Sequence, residues 1–87
     1  MKKLILFKSP FCGPCKMFEP NLKEVAKQLN IEYEFIDVST EQGLDYASEH
    51  GVKHSGTAWY VNDNNILITW EHPCSIEKLL SDINSVN

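Results

Sequence analysis

Four consecutive apolar residues, Leu4-Ile5-Leu6-Phe7, sit between Lys2-Lys3 and Lys8, a short run of the kind a strand shows when both its faces are covered. Beyond it the period changes. Phe18, Leu22, Val25, Ala26 and Leu29 follow one another at intervals of four, three, one and three, with Lys16, Glu19, Lys23, Glu24 and Lys27 filling the other positions. That spacing predicts an amphipathic helix over about residues 13–29. Pro14 suits its first turn, where no amide hydrogen bond is lost, whereas Pro20 falls in its interior and should kink it. Ile31, Tyr33 and Phe35 alternate with Glu32 and Glu34, and Ile36 and Val38 continue the run, so residues 31–38 read as a second strand. Ser39-Thr40-Glu41-Gln42 reads as a capping box opening a short helix that ends near His50-Gly51. Strands at about 57–62 and 66–71 flank the turn residues Asp63-Asn64-Asn65 and form a hairpin. Ser75 is placed to cap a last helix with the apolar stripe Ile76, Leu79, Leu80 and Ile83, ahead of a short polar tail at 84–87. The order is β-α-β-α-β-β-α without repeats, in a single α/β domain spanning residues 1–87.

At 87 residues such a chain buries only about 60–65% of its unfolded surface, so the core must be economical. A composition of 43% hydrophobic and 23% charged residues is too apolar for a disordered chain and suits a globular one. The formal charge is −4 and every basic residue is a lysine. With no arginine to make bidentate contacts to phosphate or guanine, nucleic acid is not an expected partner. Met1-Lys2-Lys3 and the apolar run after it resemble the start of a signal peptide, but the run stops at Lys8, short of the roughly 7–15 residues such a region needs. No segment approaches a membrane span. The expectation is a soluble cytoplasmic protein, with no membrane partner.

Three cysteines cannot all pair within one chain, which argues against a disulfide framework of the secreted kind. Their placement carries more. Cys12 and Cys15 bracket Gly13-Pro14 where the first strand gives way to the first helix, and a Cys-x-x-Cys in a βαβ setting is the pattern of a redox dithiol. Free amides and the positive end of the dipole at a helix N-terminus favour a thiolate at Cys12, and such sites lower a thiol from its free value of about 8.5. Cys15, one turn later, is close enough to close a small ring with Cys12. Cys12 as nucleophile and Cys15 as resolving thiol would then reduce a substrate disulfide through a mixed disulfide. Gly13 and Pro14 set the conformation between the sulfurs, and Lys16 adds a small electrostatic push to the thiolate. Buried core cysteines are the plainer reading, but two of them around Gly-Pro at a helix start would be an odd way to fill a core.

The stretch Cys12-Gly13-Pro14-Cys15-Lys16-Met17, with Pro20 beyond it, resembles the active-site helix of the thioredoxin superfamily, and Asp45-Tyr46-Ala47-Ser48-Glu49-His50-Gly51-Val52 resembles the helix leading into that family's third core strand. In length the chain is similar to glutaredoxins. Pro73-Cys74-Ser75 falls where many of those carry Gly-Gly-Cys near a glutathione site, although the Gly-Gly is absent. The resemblance implies a thioredoxin fold, a three-layer α/β/α arrangement around a four-stranded mixed sheet. It implies a monomeric protein-disulfide reductase without a cofactor, more reducing than a typical glutaredoxin. Its expected substrates are disulfide-containing proteins, a ribonucleotide reductase among them, and its electron donor a thioredoxin-reductase-type flavoenzyme or glutathione. It also implies a substrate surface made by Ser55, Gly56 and Thr57 together with Pro73 and Cys74.

Three positions depart from that pattern. Gly56 stands where the family has a cis-proline; because a cis peptide without proline costs about 2.5–4 kcal/mol, the Ser55–Gly56 bond is expected to be trans. Leu6 stands where thioredoxins bury an aspartate under the resolving cysteine, so Cys15 must lose its proton to water or another group. Phe11 replaces the tryptophan before the motif and keeps an apolar rim. Two rival readings belong to other classes. Cys12, Cys15, His72 and Cys74 together offer a donor set for zinc, or thiolates for an iron–sulfur cluster. Alternatively the fold is a binding module whose partner surface includes exposed Phe11, Trp59 or Trp70. Trp59, Tyr60 and Trp70 read more simply as core residues of the hairpin, His50 and His54 as surface residues, and Cys74 as a buried or helix-capping thiol.

Overall fold

The apolar run at residues 4–7 becomes the middle of β1 (Lys2–Lys8), and all four of its side chains are buried. The computed structural model describes residues 1–86. β1 pairs in parallel with β2 (Glu32–Asp37) on one side and antiparallel with β3 (Thr57–Asn62) on the other; β3 pairs antiparallel with β4 (Asn65–Trp70), giving the order β2-β1-β3-β4. Alternation along these strands divides the core in two. Leu4, Leu6, Ala58, Tyr60 and Trp70 meet Phe18, Leu22, Val25 and Ala26 of α1 (Gly13–Leu29) and Leu79 and Ile83 of α3 (Ile76–Val86). On the opposite face Ile5, Phe7, Trp59 and Val61 meet Ala47 of α2 (Glu41–Glu49). This is the expected three-layer architecture around a four-stranded mixed sheet.

Local details shift the predicted boundaries for identifiable reasons. Asn30 adopts a left-handed backbone as the C-cap of α1, and the Ile31 amide donates to the Ala26 carbonyl at 3.0 Å. Ile31 therefore closes the helix, and β2 starts at Glu32. The capping box expected from Ser39 to Gln42 does not form. Asp37 at the end of β2 captures Ser39 first, accepting from its amide at 2.9 Å and its hydroxyl at 2.6 Å. The cap passes to Thr40, whose hydroxyl accepts from the Gly43 amide at 3.1 Å and donates to the Asp37 carbonyl at 2.8 Å. In the hairpin Asn65 pairs with Asn62, so the turn is Asp63-Asn64 and β4 begins one residue earlier than predicted. Ser75 does cap α3, accepting from the Lys78 amide at 3.1 Å. That helix continues through Val86, so residues 84–86 of the predicted polar tail are helical, and Asn87 lies outside the described residues. Trp59, Tyr60 and Trp70 are all buried.

A polar cluster ties α1 to the sheet beside these cores. The Lys8 ammonium lies 2.9 and 3.1 Å from the two carboxylate oxygens of Glu19, and the Tyr33 hydroxyl donates to the same carboxylate at 2.6 Å. Burial pushes the Glu19 carboxyl up, but the Tyr33 hydrogen bond and the Lys8 charge outweigh it and hold the group below its ordinary value of 4.5. Burial and the Glu19 charge push the Tyr33 hydroxyl up. A carboxylate depressed in the fold contributes stability that is present above the unfolded value and is lost as pH falls through the folded one. Wild type should therefore lose stability relative to Glu19→Gln below the ordinary value of 4.5. Urea unfolding of both proteins at neutral and acid pH checks this; parallel curves would contradict it.

Candidate active site

The turn after β1 is drawn tight by the Cys12 amide, which donates to the Ser9 carbonyl at 3.2 Å. Cys12 is thereby set as the N-cap of α1, with extended backbone angles of φ −89 and ψ 102, and Pro14 occupies the first turn. In the place of the usual capping oxygen, the Cys12 sulfur accepts from the Cys15 amide at 3.1 Å. One of the helix's unpaired amides and the positive end of its dipole thus act on that sulfur, which favours negative charge there. Cys12 and Cys15 are joined as a disulfide with their Cα atoms 5.3 Å apart.

The environment of Cys15 differs. Its sulfur lies 3.7 Å from the carbonyl oxygen of Phe7, in β1 beneath the helix start. In a reduced pair that carbonyl would accept the Cys15 thiol proton, a contact that favours the neutral form. The same carbonyl accepts from the Gly56 amide at 2.7 Å. Sequence reasoning missed Phe7 as a site residue, since its contribution is a main-chain atom and no side-chain pattern marks it. Leu6 is fully buried in the same core cluster as Cys12 and Cys15, so that position supplies an apolar side chain and no carboxylate.

Gly56 brings the second element to the site. Its φ of +91 is a conformation L side chains rarely adopt, and a Cβ built on it would stand 3.6 Å from the Pro14 Cβ and 3.9 Å from the Cys12 sulfur. The loop before β3 thus lies directly over the cysteine pair. The chain contains no cis peptide among the described residues, and Ser55–Gly56 is trans. Buried Thr57 fixes the loop by donating its hydroxyl to the His54 carbonyl at 3.1 Å. Gly56, between Ser55 and Thr57, therefore meets Cys12 and Pro14 as the spacing alone could not require.

Around them Cys12 and Cys15 retain only 5% and 4% of their surface, whereas Phe11 keeps 95%. Lys16 is exposed and makes no salt bridge or side-chain hydrogen bond among the described residues. Nothing lies within 4 Å of a Cβ built on Gly13. Pro73 and Cys74 sit at the start of α3: the Cys74 carbonyl accepts from Asn21 of α1 at 2.9 Å and its thiol donates to the His72 carbonyl at 3.2 Å. Burial and Asp82 push this thiol up, which makes it a poor nucleophile. Among the described residues no three His, Cys, Asp or Glu side chains are grouped to hold a metal ion, so Cys12, Cys15, His72 and Cys74 do not form a ligand set. The partner surface imagined around Trp59 and Trp70 also falls, because both indoles are buried and only Phe11 of the three is exposed.

The family model described as Thioredoxin matches residues 1–85. Thioredoxin 1 of Synechococcus elongatus is 32% identical over 60 residues, covering 69% of this chain and 56% of that protein. A segment of the NADPH-dependent thioredoxin reductase 3 of Arabidopsis thaliana is 27% identical over 66 residues, or 76% of this chain and 12% of that protein. The matched region spans about half the length of the cyanobacterial thioredoxins it resembles. Among solved structures, thioredoxin 1 from Thermosipho africanus superposes with a TM-score of 0.82 at 24% identity, over 95% of this chain and 91% of that one, which shows the shared fold.

Proposed function

The chain belongs to the thioredoxin family, and on that premise we propose that it is a thiol–disulfide oxidoreductase that reduces protein disulfides. The observation that carries this reading is the Cys12–Cys15 disulfide at the start of α1, with one sulfur capping the helix and the other held against the Phe7 carbonyl. In the reduced protein the Cys12 thiolate attacks one sulfur of the substrate disulfide, forms a Cys12–substrate bond and expels the other sulfur as a thiolate that takes a proton from water. Cys15 gives up its proton to water and attacks the Cys12 sulfur. The Cys12–substrate bond breaks, the second substrate thiol leaves, and two electrons have passed to the substrate as the Cys12–Cys15 disulfide forms. Exposed Phe11 offers an apolar rim to the incoming chain, and the Ser55–Thr57 loop offers backbone groups to it.

A reductant must restore the dithiol. The likeness to a segment of a protein named NADPH-dependent thioredoxin reductase supports a flavoenzyme of that class as electron donor, with glutathione the other donor class. A ribonucleotide reductase is a substrate of the class we infer, and the cytoplasm, where thiols are kept reduced, is the compartment we infer.

Thiol trapping and intact mass across a series of thiol–disulfide buffers test the reading. The expected result is one two-electron transition at roughly −200 to −280 mV, the span of glutaredoxins and thioredoxins. Absence of any Cys12–Cys15 transition, or reduced protein unable to reduce insulin, would reject it.

A further inference from the structure

Phe35 is the one aromatic residue of β2 that the helices leave uncovered. Strand alternation puts it on the same face as Tyr33, which packs against the α1 and α3 core, yet Phe35 remains 52% exposed. The ring is not loose. The Lys8 ammonium stands 4.0 Å from its centroid, and Lys8 is held by Glu19, which is held by Tyr33. A chain of three polar groups therefore fixes an exposed aromatic face on an otherwise acidic edge strand.

Phe35 lines a cleft of about 440 Å³ bounded also by Lys8, Pro10, Lys16, Glu19 and Asp37. Two of its walls flank the cysteine pair in sequence: Pro10 lies two residues before Cys12, and Lys16 directly follows Cys15. Of the charges in the cleft, Lys8 and Glu19 satisfy each other, and Asp37 is engaged by the amide and hydroxyl of Ser39. What the cleft leaves for a visitor is the part of the Phe35 ring that Lys8 does not cover and the unpaired Lys16 ammonium.

We propose that this cleft is a second docking point for disulfide substrates, and that its occupant is a segment of the substrate polypeptide carrying an aromatic side chain beside a carboxylate, close in sequence to the disulfide being reduced. The aromatic ring packs on Phe35 and the carboxylate meets Lys16. This inference rests on the oxidoreductase reading, and it adds a specificity determinant some distance from the sulfurs.

Two synthetic peptides test it, each with one internal disulfide and differing only in whether Trp-Glu or Ser-Gln flanks it. Rates of their reduction by pre-reduced protein are read by acid quench and intact mass. The Trp-Glu peptide should react about tenfold faster at subsaturating concentration, through tighter binding and not through a faster limiting rate. In Phe35→Thr, where threonine keeps strand propensity, that ratio should fall to about twofold or less, and in Lys16→Gln by about threefold. Equal rates for the two peptides with wild type, a comparison that needs no variant, would overturn the proposal. So would a ratio unchanged in Phe35→Thr. If wild type reduces neither peptide, the oxidoreductase reading fails and the docking point fails with it.

Discussion

Cys15→Ser should stop the reaction halfway, leaving a stable mixed disulfide between Cys12 and the substrate, while Cys12→Ser should form no adduct at all. The difference comes from what each sulfur touches. Cys12 sits where the Cys15 amide at the helix start points at its sulfur, so in the proposed reaction it is the sulfur placed to attack. Cys15 is buried against the Phe7 carbonyl, so in the proposed reaction it acts second, once the mixed disulfide brings an electrophilic sulfur within reach. Without it, release of the substrate depends on external thiol. An oriented intramolecular group can have an effective molarity on the order of 10⁵ M, about 10⁸ times a millimolar external thiol, so turnover should fall by at least about 10³-fold even where another step limits the wild-type rate. Intact mass after mixing each variant with a disulfide peptide reads the result directly. An adduct on Cys12→Ser and none on Cys15→Ser would reverse the two roles and contradict the reading of the helix cap.

Much of this was legible in the order of residues. The change of period from the apolar run at 4–7 to the helical spacing of Phe18 through Leu29 located β1 and α1, and it placed Cys12 and Cys15 at their junction. The features that escaped prediction share one property: they depend on groups that the fold brings together from different stretches of the pattern. The Phe7 carbonyl, which receives both the Gly56 amide and the Cys15 sulfur, is a main-chain atom. Competition among Asp37, Ser39 and Thr40 for the cap of α2 was decided by the end of β2, which comes from a different part of the pattern. The exposure of Phe35 was equally hidden. Its alternation with Glu34 and Ile36 says which face it takes, but not that about half of its surface stays exposed there.

Gly43→Ala should cost more stability than any other glycine substitution in the chain, although nothing in its sequence context marks the position. Gly43 lies in the first turn of α2, and its amide is the donor that Thr40 caps. A Cβ built there would stand 1.9 Å from the Asp37 carbonyl oxygen, 2.7 Å from the Asp37 carbonyl carbon and 3.0 Å from the Thr40 hydroxyl. The nearest two atoms are backbone, and that backbone cannot yield cheaply. Asp37 is the last residue of β2 paired with β1, and its carbonyl also receives the Thr40 hydroxyl. Moving it would loosen the ladder beside Lys8 as well as the cap. Such a clash belongs at the upper end of overpacking penalties, about 3 kcal/mol. For a domain of this size that corresponds to a fall in Tm of roughly 12–24 °C. Gly13→Ala is the contrasting substitution. A Cβ there meets nothing within 4 Å, so its effect should stay within about 1 kcal/mol. Because Gly43 lies on α2, on the face of the sheet opposite α1, Gly43→Ala should keep a wild-type reduction potential at temperatures below its own melting transition. Calorimetry and the same thiol-trapping titration separate the two effects. A melting temperature close to wild type would mean that α2 starts without the contact to Asp37 described above, and a shifted potential at low temperature would mean that the start of α2 bears on the cysteine pair.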